Sequence, residues 1–199
     1  MVTPPFSMIS LIVVASLVLQ PSILFGQSDH NDQWISNDEL DKNLDDYSVI
    51  SAYRLRTPKD YKRLELKAAP KGTEVAVWGG PQRDDGTTSV IQINVVQMPE
   101  NERNSKLEDL METVLKDIRS RRTGWKQSDF RLGKIDGISF LRADWVGMAA
   151  NSDRKLRGIV LVGLHDNRAI ALKTQEVEPH HEQGLAISLN SLLTFQTKP

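Results

Sequence analysis

The feature that most constrains this chain is residues 157–175, where two apolar runs, 159–162 and 169–172, flank a short polar turn that contains Asp166 and Asn167. Aspartate and asparagine tolerate the left-handed backbone that tight hairpin turns require, so the segment predicts a long antiparallel hairpin. Its strands do not alternate cleanly between apolar and polar residues, which is typical of strands that are covered on both faces. The sequence therefore predicts a central sheet with a packed layer on each side.

Two segments with helical periodicity can supply those layers. The first begins at Ser105, which with Glu108 predicts a capping box, and is followed by Gly124 as a candidate C-cap. Its apolar stripe consists of Leu107, Leu110, Met111, Val114, Leu115 and Ile118. The second helix is predicted to carry Pro179 in its first turn. Its stripe consists of Leu185, Leu189, Leu192 and Leu193, with Phe195 as a final packing residue.

The remaining strands are predicted from short apolar or alternating runs bounded by turn residues. A folded domain beginning near Tyr53 should contain strands at 53–57, 62–68, 73–78, 89–98, 126–132 and 138–148. Asp136 and Gly137 predict a tight turn before the last of these.

The first 26 of the 199 residues predict a signal peptide or an N-terminal anchor. Residues 8–19 form an apolar run whose length fits a signal peptide and is short for a membrane span. No lysine or arginine precedes the run, and Leu24 is large for a residue near a cleavage site after Gly26. We expect an exported protein, periplasmic or secreted, with anchoring in a membrane by residues 8–25 as the alternative.

The next segment, residues 27–47, predicts a disordered acidic linker, and residues 48–199 predict a single domain. The linker has seven acidic residues and one basic residue, whereas residues 48–71 have seven basic and two acidic residues. Two solvated charged faces account for this inversion. The alternative is a linker that shields a basic surface until a partner displaces it.

Composition and motifs exclude several function classes. The formal net charge of −1 gives no general attraction to nucleic acid, and the absence of cysteine excludes disulfides and thiol chemistry. His180 and His181 are adjacent, so they do not face one point as helical metal ligands do, and no metal or other cofactor is predicted. The chain has no G-x-S-x-G or S-x-x-K motif, and Gly79-Gly80 precedes proline rather than a helix. The sequence therefore predicts no enzyme.

Four residues are candidate ligand or partner contacts: Arg142, Asp144, Trp145 and Trp125. By strand periodicity, Arg142 and Asp144 share one face of a covered strand while Trp145 points to the other. Such a charged pair must be a structural ion pair or lie at the mouth of a ligand groove, with Trp145 or Trp78 as a wall. Trp125 follows the first helix and is either a partner-binding residue or packs the helix end onto the sheet.

The order of elements resembles that of the PsbP-like superfamily and its DcrB-like bacterial relatives. The resemblance rests on Tyr53 to Pro58, the first helix, the sequence I-D-G-I-S-F at 135–140 and the closing S-L-L-T-F at 191–195. It covers residues 50–197 and implies an α+β fold, an antiparallel sheet between helix layers in an α/β/α sandwich. It also implies a small accessory or binding module without shared catalytic residues.

The leading functional interpretation is an exported, non-enzymatic accessory or partner-binding module of the cell envelope. The alternatives are a carrier of a small or lipid-like ligand in a groove between sheet and helix, and an enzyme with an unrecognised site. A cavity above about 300 Å³ with a mixed lining would favour the carrier. A flat apolar patch with an arginine rim would favour the partner module. A cluster of His, Asp and Ser would favour the enzyme. The partner, the ligand and the oligomeric state are not predicted.

Overall fold

The structure is a computed structural model that describes residues 33–66, 72–150 and 152–198. Three helices and a 3-10 turn at Glu100–Glu102 accompany the strands; the helices are α1 (Asp38–Asp41), α2 (Leu107–Arg119) and α3 (His181–Leu193). The strands are β1 (Leu44–Ile50), β2 (Tyr53–Pro58), β3 (Lys62–Arg63), β4 (Thr73–Gly79), β5 (Val90–Gln97), β6 (Arg122–Gln127), β7 (Arg131–Ile135), β8 (Ile138–Ala149), β9 (Lys155–His165), β10 (Arg168–Val177) and β11 (Gln196–Thr197).

The strands form one large and one small antiparallel sheet. The large sheet has eight strands in the order β3-β4-β5-β10-β9-β8-β6, with β7 paired to β8. The small sheet has the order β1-β2-β11 and lies beside α3, which packs on β2 as well as on β9 and β10. The predicted α+β class, an antiparallel sheet between helix layers, is confirmed.

The β9–β10 hairpin is at the centre of the large sheet, as predicted. His165 pairs with Arg168, so the turn has two residues, Asp166 and Asn167, with φ of 48° and 57°. These positive values at both positions are those of the tight turn that matches the twist of a hairpin. Side chains alternate along β9 between two hydrophobic clusters, which explains why the run is apolar throughout.

The layer on one face is α2, and we call that side of the sheet the α2 face. Met111, Leu115 and Ile118 are buried there against β8 and β9. The predicted capping box is wrong, because Lys106 is the N-cap and no side chain caps the helix. The predicted C-cap is also wrong: Gly124 lies in β6, with φ of 61° at an irregular pairing with β8.

The layer on the opposite side, the α3 face, is formed by α3 and the chain that follows it. Leu192 and Phe195 are buried in this cluster, and Leu189 and Leu193 are half-buried against it. Pro179 lies two residues before the helix begins at His181, so its predicted place in the first turn is wrong. The residues near the start of α3 are only half-buried or exposed, so this end of the helix does not cover the sheet completely.

The predicted disordered linker is wrong from residue 33 onward, because this segment is part of the domain. Asn37 caps α1 by accepting hydrogen bonds from two backbone amides, and Trp34 packs against the core of the α3 face. Arg56 of β2 pairs with Asp41 at 3.0 Å. The acidic stretch therefore does contact the basic one, but as a folded element of the domain.

The predicted strand at 62–68 is shorter than expected, because β3 ends at Arg63 and the following residues 64–66 are exposed and outside any strand. Residues 67 and 68 lie outside the described residues. The alternation of apolar and polar residues in this segment occurs at the edge of the large sheet, where the apolar side chains are only partly covered. The predicted strand at 126–132 is divided between β6 and β7.

The predicted signal peptide lies outside the described residues. None of the helices in the described part of the chain has the length and hydropathy to cross a bilayer.

We expect Leu115→Ala to destabilise the protein by about 3 kcal/mol, because the Leu115 side chain is fully buried and its truncation leaves a cavity. Val114→Ala, one position away and half-buried, is the matched control and should cost about 1 kcal/mol. Urea unfolding of the two variants measures the difference. Equal losses would contradict the orientation of α2 described above.

Candidate functional site

A groove of about 530 Å³ separates the first turns of α3 from β6, β8 and β9. Its helix wall carries His181 and Glu182 beside apolar residues, and its sheet wall carries further charged side chains. The α3 wall consists of His181, Glu182, Leu185, Ala186 and Leu189. The sheet side consists of Lys126, Gln127, Ser128, Arg142, Asp144, Trp145, Val146, Arg157, Gly158 and Ile159.

Arg142 and Asp144 lie together in the wall of this groove. The Nε of Arg142 donates to Asp144 at 2.8 Å, and Nη2 of Arg131 on β7 donates to the same carboxylate at 2.7 Å. The Arg142 side chain is 18% exposed and that of Asp144 is 30% exposed. The two interpretations made from the sequence therefore coexist, because the residues form a structural ion pair and also line a groove.

Two guanidinium groups share the carboxylate of Asp144. Burial lowers the pKa of Arg131 from its ordinary value, and the nearby Arg142 lowers it further against the opposing effect of Asp144. The backbone of Asp144 is fixed as well, since its N–H donates to the hydroxyl of Ser128 at 3.0 Å. Asp144 thus keeps two guanidinium groups side by side at the groove wall.

The two candidate tryptophans are on the other side of the sheet. Trp125 and Trp145 stack on each other with ring centroids 5.2 Å apart, within the cluster of the α2 face. The indole N–H of Trp125 donates to Gln127 at 3.0 Å. Trp145 also contributes to the lining of the groove, whereas Trp78 does not line it. The structure therefore does not unite the four candidate residues in one site.

The residues of the groove do not form a catalytic triad. The Ser128 hydroxyl donates to the carbonyl of Asp129, and the carboxylate of Asp144 is taken by arginines. His181 also lines the groove, but its buried Nδ1 has no hydrogen-bond partner among the described residues. Over residues 33–66, 72–150 and 152–198, no three His, Cys, Asp or Glu side chains are grouped as a metal would require.

A buried ion pair that the sequence analysis missed holds the start of α3 in place. Both oxygens of Glu176, on β10, accept hydrogen bonds from Arg83 at 2.7 and 2.8 Å, and Ser89 donates to the same carboxylate. Gly184 of α3 lies against this carboxylate, and a β-carbon there would collide with it. The signal in the sequence was a lone carboxylate in an apolar strand and a glycine within a predicted helix.

Comparisons with solved structures identify proteins with a similar fold. Cyanobacterial PsbP (CyanoP) from Synechocystis sp. PCC 6803 is similar over 78% of this chain and 92% of its own, with a TM-score of 0.56 and 13% identity. LpqN of Mycobacterium tuberculosis, described as involved in cell envelope biogenesis, is similar over 84% and 99%, with a TM-score of 0.53 and 12% identity. No family model and no curated protein sequence matches. The chain therefore has the PsbP-like fold, as the resemblance predicted.

We expect Asp144→Ala to destabilise the protein more than Arg142→Ala. The first change removes the carboxylate that Arg131 and Arg142 share, which should cost about 2 kcal/mol. The second leaves Asp144 paired with Arg131, and since the pair is partly exposed it should cost about 1 kcal/mol or less. Urea unfolding at neutral pH measures both, and a larger loss in Arg142→Ala would contradict this view of the cluster.

We also expect Glu176 to contribute to the loss of stability in acid. Burial opposes ionisation, but hydrogen bonds from Arg83, Ser89 and the amide of Val177 outweigh it and lower the pKa of Glu176. A lowered pKa means that its contribution is complete above the unfolded-state value of 4.5 and is lost as the pH falls below it. In Glu176→Gln the free energy of unfolding should fall less steeply below pH 4.5.

The control for this measurement is Glu108→Gln, which removes an exposed carboxylate that makes no ion pair with any described residue. Its acid limb should match that of the wild type. An unchanged limb in Glu176→Gln would show that the ion pair is not formed.

Proposed function

We propose that this protein is a non-enzymatic binding module of the cell envelope that holds a small amphiphilic ligand in the groove between α3 and the sheet. The observation that carries the proposal is the groove itself, whose volume of about 530 Å³ is within the range of small-molecule sites, about 300–1,000 Å³. The sequence favoured a partner-binding module over a carrier. A groove of this size with a mixed lining favours the carrier.

The lining of the groove suits a ligand with an apolar body and an anionic end. Leu185 and Leu189 are half-buried on α3, and Ile159 forms the floor between them and the sheet. Most charges of the wall are already paired, Arg142 with Asp144 and Arg157 with Glu178. Lys126 is exposed and makes no ion pair within the described residues, so it is the cation that can meet a ligand carboxylate.

Two observations support the assignment to the envelope. Residues 8–19 form the apolar run expected of an exported protein. LpqN, which shares the fold, is described as involved in cell envelope biogenesis. The arrangement of Ser128, Asp144 and His181 supports a binding role over a hydrolytic one, because the serine hydroxyl and the carboxylate are both engaged elsewhere.

A protein partner is the second candidate, and one observation favours it. Strand β1 is an edge of the small sheet, and two of its apolar side chains, Tyr47 and Val49, are 42% and 47% exposed. Free edges of this kind can accept a strand from a partner. This surface is separate from the groove, so variants of the groove distinguish the two candidates.

We expect Ala186→Trp to weaken binding of a fluorescent fatty acid, dansylamino-undecanoic acid, at least tenfold. Ala186 is exposed and lines the groove, so an indole at this position would fill the space of the ligand. The measurement is a titration of the full chain followed by dansyl fluorescence. Lys126→Met should weaken binding of the acid severalfold and leave binding of the corresponding alcohol unchanged.

The matched control is Gln183→Trp, which places the same side chain on an exposed position of α3 that does not line the groove. It should bind the fatty acid as the wild type does. Equal affinities in Ala186→Trp and the wild type would refute the groove as the binding site and leave the β1 edge as the candidate surface.

A further inference from the structure

A second pocket, on the α2 face, lies beyond the C-terminal end of α2. The helix covers β8 and β9 but leaves β5 and β10 partly open, and the side chains there are polar. The pocket has a volume of about 160 Å³. Its polar lining consists of Gln92, Arg121, Arg122, Trp145, Lys173, Thr174 and Gln175. None of these except Trp145 belongs to the groove described above.

Three hydrogen-bond donors in this pocket have no partner among the described residues. The indole N–H of Trp145 is buried and unpaired, although the side chain as a whole is only 5% exposed. The Nε of Arg122 is buried and unpaired as well, while its Nη2 donates to Gln175 at 3.0 Å. The ammonium group of Lys173 makes no ion pair or hydrogen bond within the same residues. Buried donors without acceptors are unfavourable by about 1–3 kcal/mol each, so the donors of Trp145 and Arg122, with the unpaired ammonium group of Lys173 beside them, indicate a missing acceptor.

The cationic side chains of this pocket outnumber the carboxylates that pair with them. Arg121 is paired with Asp117, the one carboxylate within ion-pair distance of these cations in the part of the chain described. Burial lowers the pKa of both Lys173 and Arg122; Asp117 partly opposes the shift of Lys173, and the charge of Arg121 lowers the pKa of each further. Arg122 and Lys173 therefore remain without an ion-pair partner among the described residues.

We propose that this pocket binds the phosphate group of a phosphate monoester or inorganic phosphate, held by Arg122, Lys173 and the indole N–H of Trp145. A phosphate carries about −1.5 to −2 charges near neutral pH, which matches the two uncompensated cations. It also offers three or four acceptor oxygens to the three unpaired donors, whereas a carboxylate offers two. Guanidinium groups are well suited to phosphate oxygens by geometry.

The shape of the pocket agrees with a small group rather than a whole ligand. Its volume equals that of about five water molecules in the liquid, well below that of a drug-sized site. The guanidinium carbon of Arg122 lies 5.6 Å from the ring centroid of Trp145, and the ring lies against Gly158, where a β-carbon would collide with it. Trp145 and Arg122 are thus held in place by packing before any anion arrives.

The test is thermal unfolding of the full chain in inorganic phosphate, against chloride at the same ionic strength. At a phosphate concentration near 100 times the dissociation constant, the wild-type Tm should rise by about 5 °C or more. Arg122→Met and Lys173→Met should lose this rise. Lys173→Met should also be at least as stable as the wild type without phosphate, because it removes an uncompensated cation from a partly buried site.

The matched control is Arg119→Met, which removes an exposed cation of the last turn of α2 that does not line the pocket. It should keep the full response to phosphate. An equal rise of Tm in the wild type and both pocket variants, or an equal rise in chloride, would overturn the proposal. If Arg122→Met does not fold, the response of Lys173→Met alone decides between these outcomes.

A second arm distinguishes a soluble phosphate from a lipid headgroup. Vesicles of phosphatidylcholine with and without phosphatidate are sedimented with the wild type and with Lys173→Met. Phosphatidate-dependent binding that is lost in Lys173→Met would support the pocket and assign the phosphate to a lipid. A Tm response to inorganic phosphate without such binding would support the pocket and assign it to a soluble ligand.

Discussion

Burial of both faces of the β9–β10 hairpin is the constraint on which the rest of the structure depends. Ile159 and Leu161 face one cluster while Val160 and Val162 face the other, and all four are at most 5% exposed. Removing each such side chain from water stabilises the fold by about 1.5–3 kcal/mol, which requires a cover on both sides. Helix α2 and helix α3 with the chain after it are those covers, and both candidate sites lie where a cover ends.

Charged side chains are paired differently on the two faces of the sheet. On the α3 face the buried Glu176 is matched to Arg83, and the partly exposed Asp144 is matched to two guanidinium groups. On the α2 face, Arg122 and Lys173 lie next to the core and have no ion-pair partner among the described residues. Burial of an unpaired charge is unfavourable. A structural role accounts for the first arrangement, whereas the second is explained by an anion that the folded protein binds.

Prediction from the sequence succeeded where a structure is encoded by neighbouring residues. The apolar stripe of α2, the positive-φ turn at Asp166 and Asn167, and the alternation that separates Asp144 from Trp145 all follow from local periodicity or turn chemistry. Prediction failed for residues 33–47, where composition suggested a disordered linker. That segment is ordered by distant contacts, among them the ion pair of Asp41 with Arg56 and the packing of Trp34.

The sequence by itself determined the layered α+β architecture, because hydrophobic periodicity specifies which faces must be covered. It also placed Arg142 and Asp144 on a covered face, and so suggested that they are paired or line a groove. Only the tertiary structure decided that they do both, and that Arg122, Trp145 and Lys173 share a pocket. Those three residues come from separate strands, and no local pattern relates them. Their proximity arises from strand order and from the point at which α2 ends over the sheet.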